Sequence, residues 1–232
     1  MSVKTTIERP ETVERTAHTP FAPAICSASF DGVQLYCADF RDVLPNLACD
    51  AIITDPPYGV GVDYGEYVDT PENTVPMVRE MVEIGLRVAK RIAMTPGIRL
   101  MWKYQEPTHT GSFYYPAGAG VNPWGFTCWQ PIFYYGKDPY AGKGSRPDSR
   151  ESVEAAEKNG HPCPKPIKQW TWLTNRASLE GETVCDPFMG SGTGAIAAIR
   201  TKRKFIGIEK DVRHFEAAVE RIRRELQQGV ML

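Results

Sequence analysis

The chain has 232 residues, of which 42% are hydrophobic and 24% charged, a composition typical of a soluble globular protein. No apolar run is long enough to span a bilayer and no apolar signal core opens the chain, so we expect a cytoplasmic protein without membrane contact. The 6 cysteines form no CxxC pair and the 4 histidines lack zinc-ligand spacing, which favours reduced thiols and no metal site.

Charge is distributed unevenly along the chain. Residues 1–80 carry 5 basic and 13 acidic groups, a net charge of −8, whereas residues 81–232 carry 22 basic and 15 acidic groups, a net charge of +7. This asymmetry is compatible with one face turned toward nucleic acid, although solvated helix faces account for much of the basic excess.

The N-terminal region predicts a tail followed by one domain. Residues 1–24 are polar and interrupted by three prolines, so we expect a flexible tail, with the folded domain over residues 25–232. Residues 33–37 alternate as in a strand, and a short helix is expected over residues 42–47.

An acidic turn follows the next predicted strand. The apolar run at residues 50–54 leads directly into Asp55-Pro56-Pro57-Tyr58, and two prolines cannot continue a central strand. Ligands of open α/β sheets bind outside the carboxyl ends of the strands, so these four residues are catalytic candidates. The alternative is a strand-ending turn in which Tyr58 is only a packed aromatic residue.

The middle of the chain is less specific. The glycine-rich, acidic residues 59–73 predict a mobile loop, and residues 74–90 predict a helix capped at Asn73 or Thr74. A short strand follows at residues 92–94. Residues 98–102 are compatible with a strand or a helix.

An aromatic-rich stretch occupies residues 107–136. Its last part, residues 129–136, predicts a strand near a sheet edge, and most of its aromatic side chains are expected in the core. Phe133 and Tyr134 are candidates for contact with a planar ligand.

The next interior stretch, residues 137–160, reads as an irregular loop. It carries the cations Lys137, Lys143, Arg146 and Arg150. Contact with nucleic-acid phosphates and simple solvent exposure are equally good interpretations of this loop.

Residues 183–211 predict a strand, a glycine-rich turn, a helix and a second strand ending on an acid. Asp186 precedes the glycines and would repel a phosphate, which disfavours NAD and ATP. S-adenosylmethionine suits the pattern better, because Asp186 can face its cationic end while Glu209 accepts from its ribose. The alternative is a structural βα turn without a ligand. Amphipathic helices are expected on either side, at residues 167–177 and 211–228.

At these motifs the sequence resembles the S-adenosylmethionine-dependent DNA amino-methyltransferases. DPPY resembles their catalytic motif, DPFMGSGT their cofactor motif, and GIEKD their ribose-binding acid. YCADF resembles the segment at the cofactor adenine, and HPCPKP the segment at its methionine end. The resemblance implies cofactor contacts at Asp39, Phe40, Lys165, Asp186, Phe188, Gly190, Ser191, Gly192, Thr193 and Glu209.

The motif order, with the catalytic turn first, resembles the beta class. It implies a circularly permuted Rossmann-like α/β fold with a mostly parallel sheet and helices on both faces. It also implies a homodimer, a catalytic half at residues 33–136, a DNA-contact loop at 137–160 and a cofactor half at 161–228.

The implied substrate is a DNA base flipped out of the duplex. Asp55 and the carbonyl of Pro56 accept the two N–H bonds of an exocyclic amine, Tyr58 stacks on the base, and Phe133 or Tyr134 closes the pocket. DPPY in this order favours adenine N6. Cytosine N4, methylation of RNA or a protein amide, and a binding module without catalysis are the alternatives.

Overall fold

The computed structural model describes residues 6–8, 26–64, 67–154 and 165–229. Within them the chain forms fourteen strands and five helices. The strands are β1 Thr6–Glu8, β2 Cys26–Phe30, β3 Val33–Cys37, β4 Cys49–Thr54, β5 Asp63–Tyr64, β6 Tyr67–Val68, β7 Ala89–Met94, β8 His109–Tyr114, β9 Val121–Asn122, β10 Gly125–Phe126, β11 Trp129–Gly136, β12 Ser149–Glu151, β13 Thr183–Asp186 and β14 Lys204–Glu209. The helices are α1 Phe40–Val43, α2 Pro71–Val88, α3 Ile167–Ala177, α4 Thr193–Arg200 and α5 Val212–Gly229.

Ten strands form one sheet in the order β1-β2-β3-β14-β13-β4-β7-β11-β8-β12. The five central strands β3, β14, β13, β4 and β7 are parallel to one another, whereas β2 is antiparallel to β3 and β11 is antiparallel to both β7 and β8. Strand β3, from early in the chain, pairs with β14, from near its end. The predicted mostly parallel, permuted α/β sheet is therefore confirmed.

Helices cover both faces of the sheet, and central strands such as β4 and β13 bury side chains on both sides. One apolar cluster joins the sheet to α3, α4 and α5 through residues such as Leu173, Ile196 and Phe215. The other joins it to α1 and α2 through residues such as Phe40 and Met81. The central strands are consequently apolar almost throughout, as expected for a parallel sheet between two helical layers.

Most predicted elements are present with small shifts in their ends. Strand β3 and helix α3 have the predicted bounds, whereas α2 begins at Pro71, three residues earlier than expected. Thr70 is its cap, with a side-chain oxygen that accepts from Asn73 N at 3.4 Å. The sequence was compatible with a strand or a helix at residues 98–102. The structure has a 3₁₀ turn at residues 101–103.

Other elements correct the predictions. Strands β2, β8 and β12 were not anticipated, and β12 lies in the stretch expected to be irregular. Strand β11, predicted to lie near a sheet edge, is the third strand from that edge. Thr6–Glu8 pair with β2, so the expected flexible tail is wrong for these three residues, and the rest of residues 1–24 lies outside the described ranges.

The ends of the strands form two opposite edges of the sheet, and strand direction decides which chain ends lie at each. The carboxyl ends of β4, β7 and β13 lie at one edge, here called the catalytic edge, and so does the carboxyl end of β8. Because β11 runs the other way, it begins at the catalytic edge and ends at the opposite edge. The chain therefore enters residues 137–148 at the opposite edge.

The structure also bears on the expectations about thiols, metals and membranes. Cys26, Cys37, Cys49, Cys128 and Cys185 are free thiols. Across the described ranges no group of three metal-ligating side chains comes together, and none of the helices is both long and apolar enough to cross a bilayer.

Candidate active site

The two acid–proline turns lie side by side because their strands are neighbours. Strands β4 and β13 pair in parallel, with Val184 opposite Ala51 and Cys185 opposite Ile52. Asp55 and Asp186 therefore emerge together at the catalytic edge. Thr54 joins the two turns, since its hydroxyl donates to Asp186 Oδ1 at 2.6 Å.

Asp55 is held by three donors. The hydroxyls of Tyr58 and Thr95 both donate to its Oδ1, and the Lys165 ammonium lies 3.0 Å from its Oδ2. A carboxylate offers about four acceptor positions, so this arrangement leaves one on Oδ2. That position is where Asp55 can accept a hydrogen bond from a ligand.

Tyr58 is the centre of a hydrogen-bond network. Besides its bond to Asp55, its hydroxyl accepts from Gln130 Nε2 and, at 3.1 Å, from Lys165 Nζ. Its ring packs against Gly97, where an added Cβ would lie 2.8 Å from Cδ1. Burial and the neighbouring Asp55 charge raise the pKa of Tyr58, so its hydroxyl stays protonated.

Lys165, for which the motif implied cofactor contact, lies between the catalytic turn and the adjoining cavity. Its ammonium contacts Asp55 and lies 4.8 Å from the centroid of the Tyr58 ring, although the residue also lines the adjoining pocket. Burial alone would lower the pKa of Lys165, but the Asp55 charge and the hydrogen bonds to Asp55 and Tyr58 raise it well above its usual value. Lys165 is therefore a fixed cation beside the catalytic candidate. The preceding residues of the motif, 161–164, lie outside the described ranges.

Asp186 is a buried carboxylate with a vacant side. Its Oδ1 accepts from Thr54 Oγ1 and, at 3.1 Å, from Phe188 N, while Oδ2 faces Gly194, where an added Cβ would lie 3.0 Å away. Burial, reinforced by the charges of Asp55 and Glu209, raises its pKa to about 7. A carboxylate in this state is poised to bind a cation, which would repay the cost of its burial.

Glu209 braces the glycine-rich turn. Its two carboxylate oxygens accept from Gly190 N and Asp211 N, each at 2.8 Å. Gly190 and Gly192 have φ angles of 53° and 80°, in the left-handed region that favours glycine. Burial raises the pKa of Glu209. Its oxygens retain further lone pairs with which to accept from ligand hydroxyls.

One cavity of about 870 Å³ joins these groups. Its walls include all but one of the residues for which the sequence predicted cofactor contact: Asp39, Phe40, Lys165, Asp186, Phe188, Gly190, Ser191, Thr193 and Glu209. The exception, Gly192, is the left-handed cap of α4. Asp55 and Pro57 line the same cavity, so the predicted catalytic turn and the predicted cofactor residues share it.

The far end of the cavity contains an aromatic pair. Phe40 and Phe188 meet edge to face, with ring centroids 5.3 Å apart. Asp39 caps α1 by accepting from Arg41 N at 3.1 Å, and it also pairs with Arg41 and Lys210. This end therefore offers an apolar slot with a fixed carboxylate at its rim.

The structure does not bring Phe133 or Tyr134 to this cavity. Phe133 is buried in the core beside α2, with its ring 6.3 Å from that of Tyr135. The Tyr134 hydroxyl donates to the carbonyl of Asp148, and its ring lies below Arg176. Gln130, from the same strand, is the residue that reaches the catalytic turn, so the aromatic assignment is corrected.

The predicted DNA-contact cations are also placed elsewhere. Lys137, Lys143 and Arg146 follow β11 and lie toward the edge opposite Asp55, with the Arg146 guanidinium 4.1 Å from the Tyr140 ring centroid. Arg150 is committed within the protein, since it donates to the Lys168 carbonyl at 2.7 Å and pairs with Glu154. Lys137, Lys143 and Arg146 therefore do not lie at the catalytic edge, and the guanidinium of Arg150 is occupied by partners within the protein.

Three residues of the site were not predicted from the sequence: Thr54, Thr95 and Gln130. Thr54 ends one apolar strand and Thr95 follows another, so both resemble ordinary strand ends, and Gln130 lies within an aromatic run. Thr54 stands directly before Asp55, which was the available signal, whereas Thr95 stands between Met94 and Pro96 without an acid beside it. Gln130 gave no comparable signal, because its role depends on the pairing of β11 with β7.

A buried acid beside a glycine-rich βα turn and a second acid on a DPPY turn at the neighbouring strand define a nucleoside-cofactor enzyme of the Rossmann-like class. Residues 102–220, just over half of the chain, match the family described as DNA methylase, of the N6/N4 type. The chain therefore belongs to the DNA methylase family.

Two similar proteins are both named as type II methyltransferases. The chain is 28% identical to the type II methyltransferase M.HpaI of Haemophilus parainfluenzae over 82% of its own length and 74% of that protein. A shorter match, 36% identical to M.HindIII of Haemophilus influenzae, covers 30% of this chain and 23% of that protein.

Solved structures show the same fold. The M1.HpyAVI–SAM complex has a TM-score of 0.63 and 20% identity, over 82% of this chain and 98% of that one. The cytosine-N4-specific PvuII DNA methyltransferase has a TM-score of 0.60 and 14% identity, over 84% and 92% of the two chains. TTHA0409 of Thermus thermophilus, complexed with S-adenosyl-L-methionine, has a TM-score of 0.61 and 19% identity, over 82% and 95%.

Proposed function

We propose that the protein transfers a methyl group from S-adenosylmethionine to the exocyclic amine of a flipped DNA base, with adenine N6 as the target. The observation that carries the proposal is the single cavity shared by Asp55 and Asp186, whose strands are neighbours and whose turns are joined through Thr54. It brings a hydrogen-bond acceptor for an amine next to a buried carboxylate suited to a cation.

The cavity fits this cofactor on three counts. Asp186 offers a buried oxygen beside the space kept open by Gly194, which suits the amino or sulfonium end. Glu209 suits the ribose hydroxyls, and the slot at Phe40 and Phe188 suits the adenine. When bound, S-adenosylmethionine supplies an electrophilic methyl group on a sulfonium.

The residues of the chain act on the nucleophile. An exocyclic amine is weakly nucleophilic because its lone pair is delocalised into the ring. Asp55 Oδ2 and the Pro56 carbonyl accept its two N–H bonds, which favours a tetrahedral nitrogen and stabilises the developing positive charge. Lys165, Thr95 and Tyr58 hold the Asp55 carboxylate in position, so little motion is needed when the base arrives.

The choice of adenine rests on DPPY in this motif order. A DNA methyltransferase named above is cytosine-N4-specific, which makes cytosine the alternative target. Stacking of Tyr58 on the base, the division into residues 33–136, 137–160 and 161–228, and a homodimer remain predictions.

The test is incubation of the protein with S-adenosylmethionine and DNA from a methylation-free host, followed by nucleoside mass spectrometry. N6-methyladenine is expected, and single-molecule sequencing then locates the site. N4-methylcytosine would overturn the base choice alone.

Asp55→Asn is the matched variant for this test. It should reduce turnover at least about 100-fold, because a carboxylate acceptor is lost, with cofactor affinity within about threefold of wild type. Absence of any methylated base from the wild-type reaction, with measurable cofactor binding, would refute the proposed function.

A further inference from the structure

A segment with no role in the candidate site and no match to the sequence motifs projects from the catalytic edge. Residues 115–128 connect β8 to β11 and include the β9–β10 hairpin. Because β8 ends and β11 begins at the catalytic edge, this segment projects from the same edge as Asp55. Strand β8 is three positions from β4 in the sheet, which corresponds to about 14 Å.

The hairpin presents apolar side chains to solvent at its tip. Trp124 is 99% exposed, Val121 is 80% exposed and Phe126 is 74% exposed. Val121 and Phe126 are directly paired, so their side chains share a face. Tryptophan is normally largely buried, and a cluster of this kind at a rim indicates a surface that is covered when the protein works.

The hairpin is ordered by its own hydrogen bonds. Tyr115 N donates to Cys128 O at 2.7 Å and Ala119 N to Thr127 O at 2.6 Å. At the tip, the Asn122 side chain accepts from Trp124 N at 2.8 Å. Trp124 is therefore held out on a short, braced turn, and little backbone ordering is needed for it to engage a partner.

The root of the hairpin is connected to the catalytic turn. The Tyr115 hydroxyl donates to Gln130 Oε1 at 2.9 Å, and Gln130 Nε2 donates to the Tyr58 hydroxyl, which contacts Asp55. Gln169 Nε2 donates to the same Tyr115 hydroxyl at 2.9 Å. The position of the hairpin is thus fixed relative to Asp55 by side-chain hydrogen bonds.

Charge on the neighbouring loop suits a polyanion. The loop after β7 leaves the catalytic edge and carries Trp102, which is 82% exposed, between the exposed residues Arg99 and Lys103. Leu100 anchors this loop against the catalytic turn, because its Cδ1 lies where a Cβ at Gly59 would be. Cations interleaved with an exposed aromatic residue match the phosphates and base faces of nucleic acid.

We infer that the β9–β10 hairpin contacts the DNA duplex beside the flipped base and that Trp124 fills the gap left in the base stack. This inference rests on the proposed function, which requires a base to leave the duplex. Extrusion leaves a cavity between base pairs, and proteins that deform DNA commonly insert an apolar side chain between base steps. An exposed tryptophan on a hydrogen-bonded turn at the same edge as Asp55 meets that requirement, and Arg99 and Lys103 supply phosphate contacts.

The experiment compares Trp124→Ala and Trp124→Phe with wild type on a duplex containing the site found by sequencing. Trp124→Ala should weaken DNA affinity about tenfold or more and lower turnover, whereas Trp124→Phe should retain most of both, because the phenyl ring still stacks. Affinity for S-adenosylhomocysteine, measured by calorimetry, should be the same in all three proteins.

A second substrate isolates the role in base extrusion. A mismatch at the target base lowers the cost of flipping, so it should restore turnover of Trp124→Ala more than that of wild type. Equal DNA affinity of wild type and Trp124→Ala would overturn the inference while leaving the proposed function intact. It would also be overturned if Trp124→Ala changed the sedimentation coefficient of the free protein without changing DNA affinity, since the tip would then be an interface between copies.

Discussion

The Thr54 hydroxyl donates a 2.6 Å hydrogen bond to Asp186, and Thr54 is the residue immediately before Asp55. One side chain thus links the strand that presents Asp55, the proposed amine acceptor, to Asp186, which lines the cavity. Thr54 is fully buried and Asp186 is 3% exposed, so water does not substitute for this bond. The position of one acid is therefore coupled to the position of the other.

Thr54→Val is expected to weaken S-adenosylmethionine binding about tenfold. A hydrogen bond to a charged group contributes about 1.5–3 kcal/mol, and its loss leaves Asp186 Oδ1 with only the Phe188 N–H. Calorimetric titration measures the change. Thr201→Val is the matched control, because its hydroxyl bonds the Ala197 carbonyl at the other end of α4. Equal losses in the two variants would contradict the coupling.

Cofactor affinity should depend on pH through Asp186. Burial raises the pKa of this carboxyl to about 7, and the ionised form is the one that attracts a cation. Below pH 7 the group is increasingly neutral, so binding must release a proton. Affinity for S-adenosylmethionine should therefore rise from pH 6 to pH 8, by up to about tenfold per unit below the pKa, and then level off.

Calorimetry in two buffers of different ionisation enthalpy measures the proton released at pH 6.5. Asp186→Asn should bind more weakly at pH 8 and show little pH dependence between pH 6 and 8. An unchanged slope in that variant would assign the titration to another group.

The sequence was sufficient to predict the central strands, the parallel core and the two acids at strand ends, but not β2, β8 or β12. It was sufficient because apolar strands, prolines and glycines each impose a local conformation that depends little on distant residues. Asp186 and Glu209 accordingly end the strands β13 and β14. The roles of Thr54 and Gln130 depend instead on which strands pair, and hydrophobic periodicity contains no information about pairing.

Strand direction determines where the cations after β11 lie. For Lys137, Lys143 and Arg146 the sequence favoured phosphate contact and solvent exposure equally, and β11, antiparallel to both of its neighbours, leads them toward the edge opposite Asp55. The alternation of a strand is the same in both directions. The exposed Trp124, by contrast, becomes a candidate for DNA contact because β8 ends at the catalytic edge.

Lys165→Gln should separate turnover from cofactor binding. The ammonium contacts Asp55 and the Tyr58 hydroxyl, so its loss should lower turnover at least about tenfold by releasing the Asp55 carboxylate. S-adenosylhomocysteine affinity should change less than about threefold. Lys168→Gln is the control, since Lys168 is an exposed lysine three residues further along, in the first turn of α3. A loss of affinity as large as the loss of turnover would favour the role that the motif implied.

Gly97 tests how closely Tyr58 must be supported. Its φ is 69°, and an added Cβ would lie 2.8 Å from the Tyr58 ring, whereas Gly142 has a φ of 78° with open space around it. Both alanine substitutions impose left-handed strain of about 1–2 kcal/mol. Only Gly97→Ala also displaces Tyr58, and with it the hydroxyl that contacts Asp55. We therefore expect a larger loss of unfolding free energy and a lower turnover for Gly97→Ala, measured by urea denaturation and methyl transfer. If Gly142→Ala impaired turnover equally, backbone strain rather than the position of Tyr58 would be responsible.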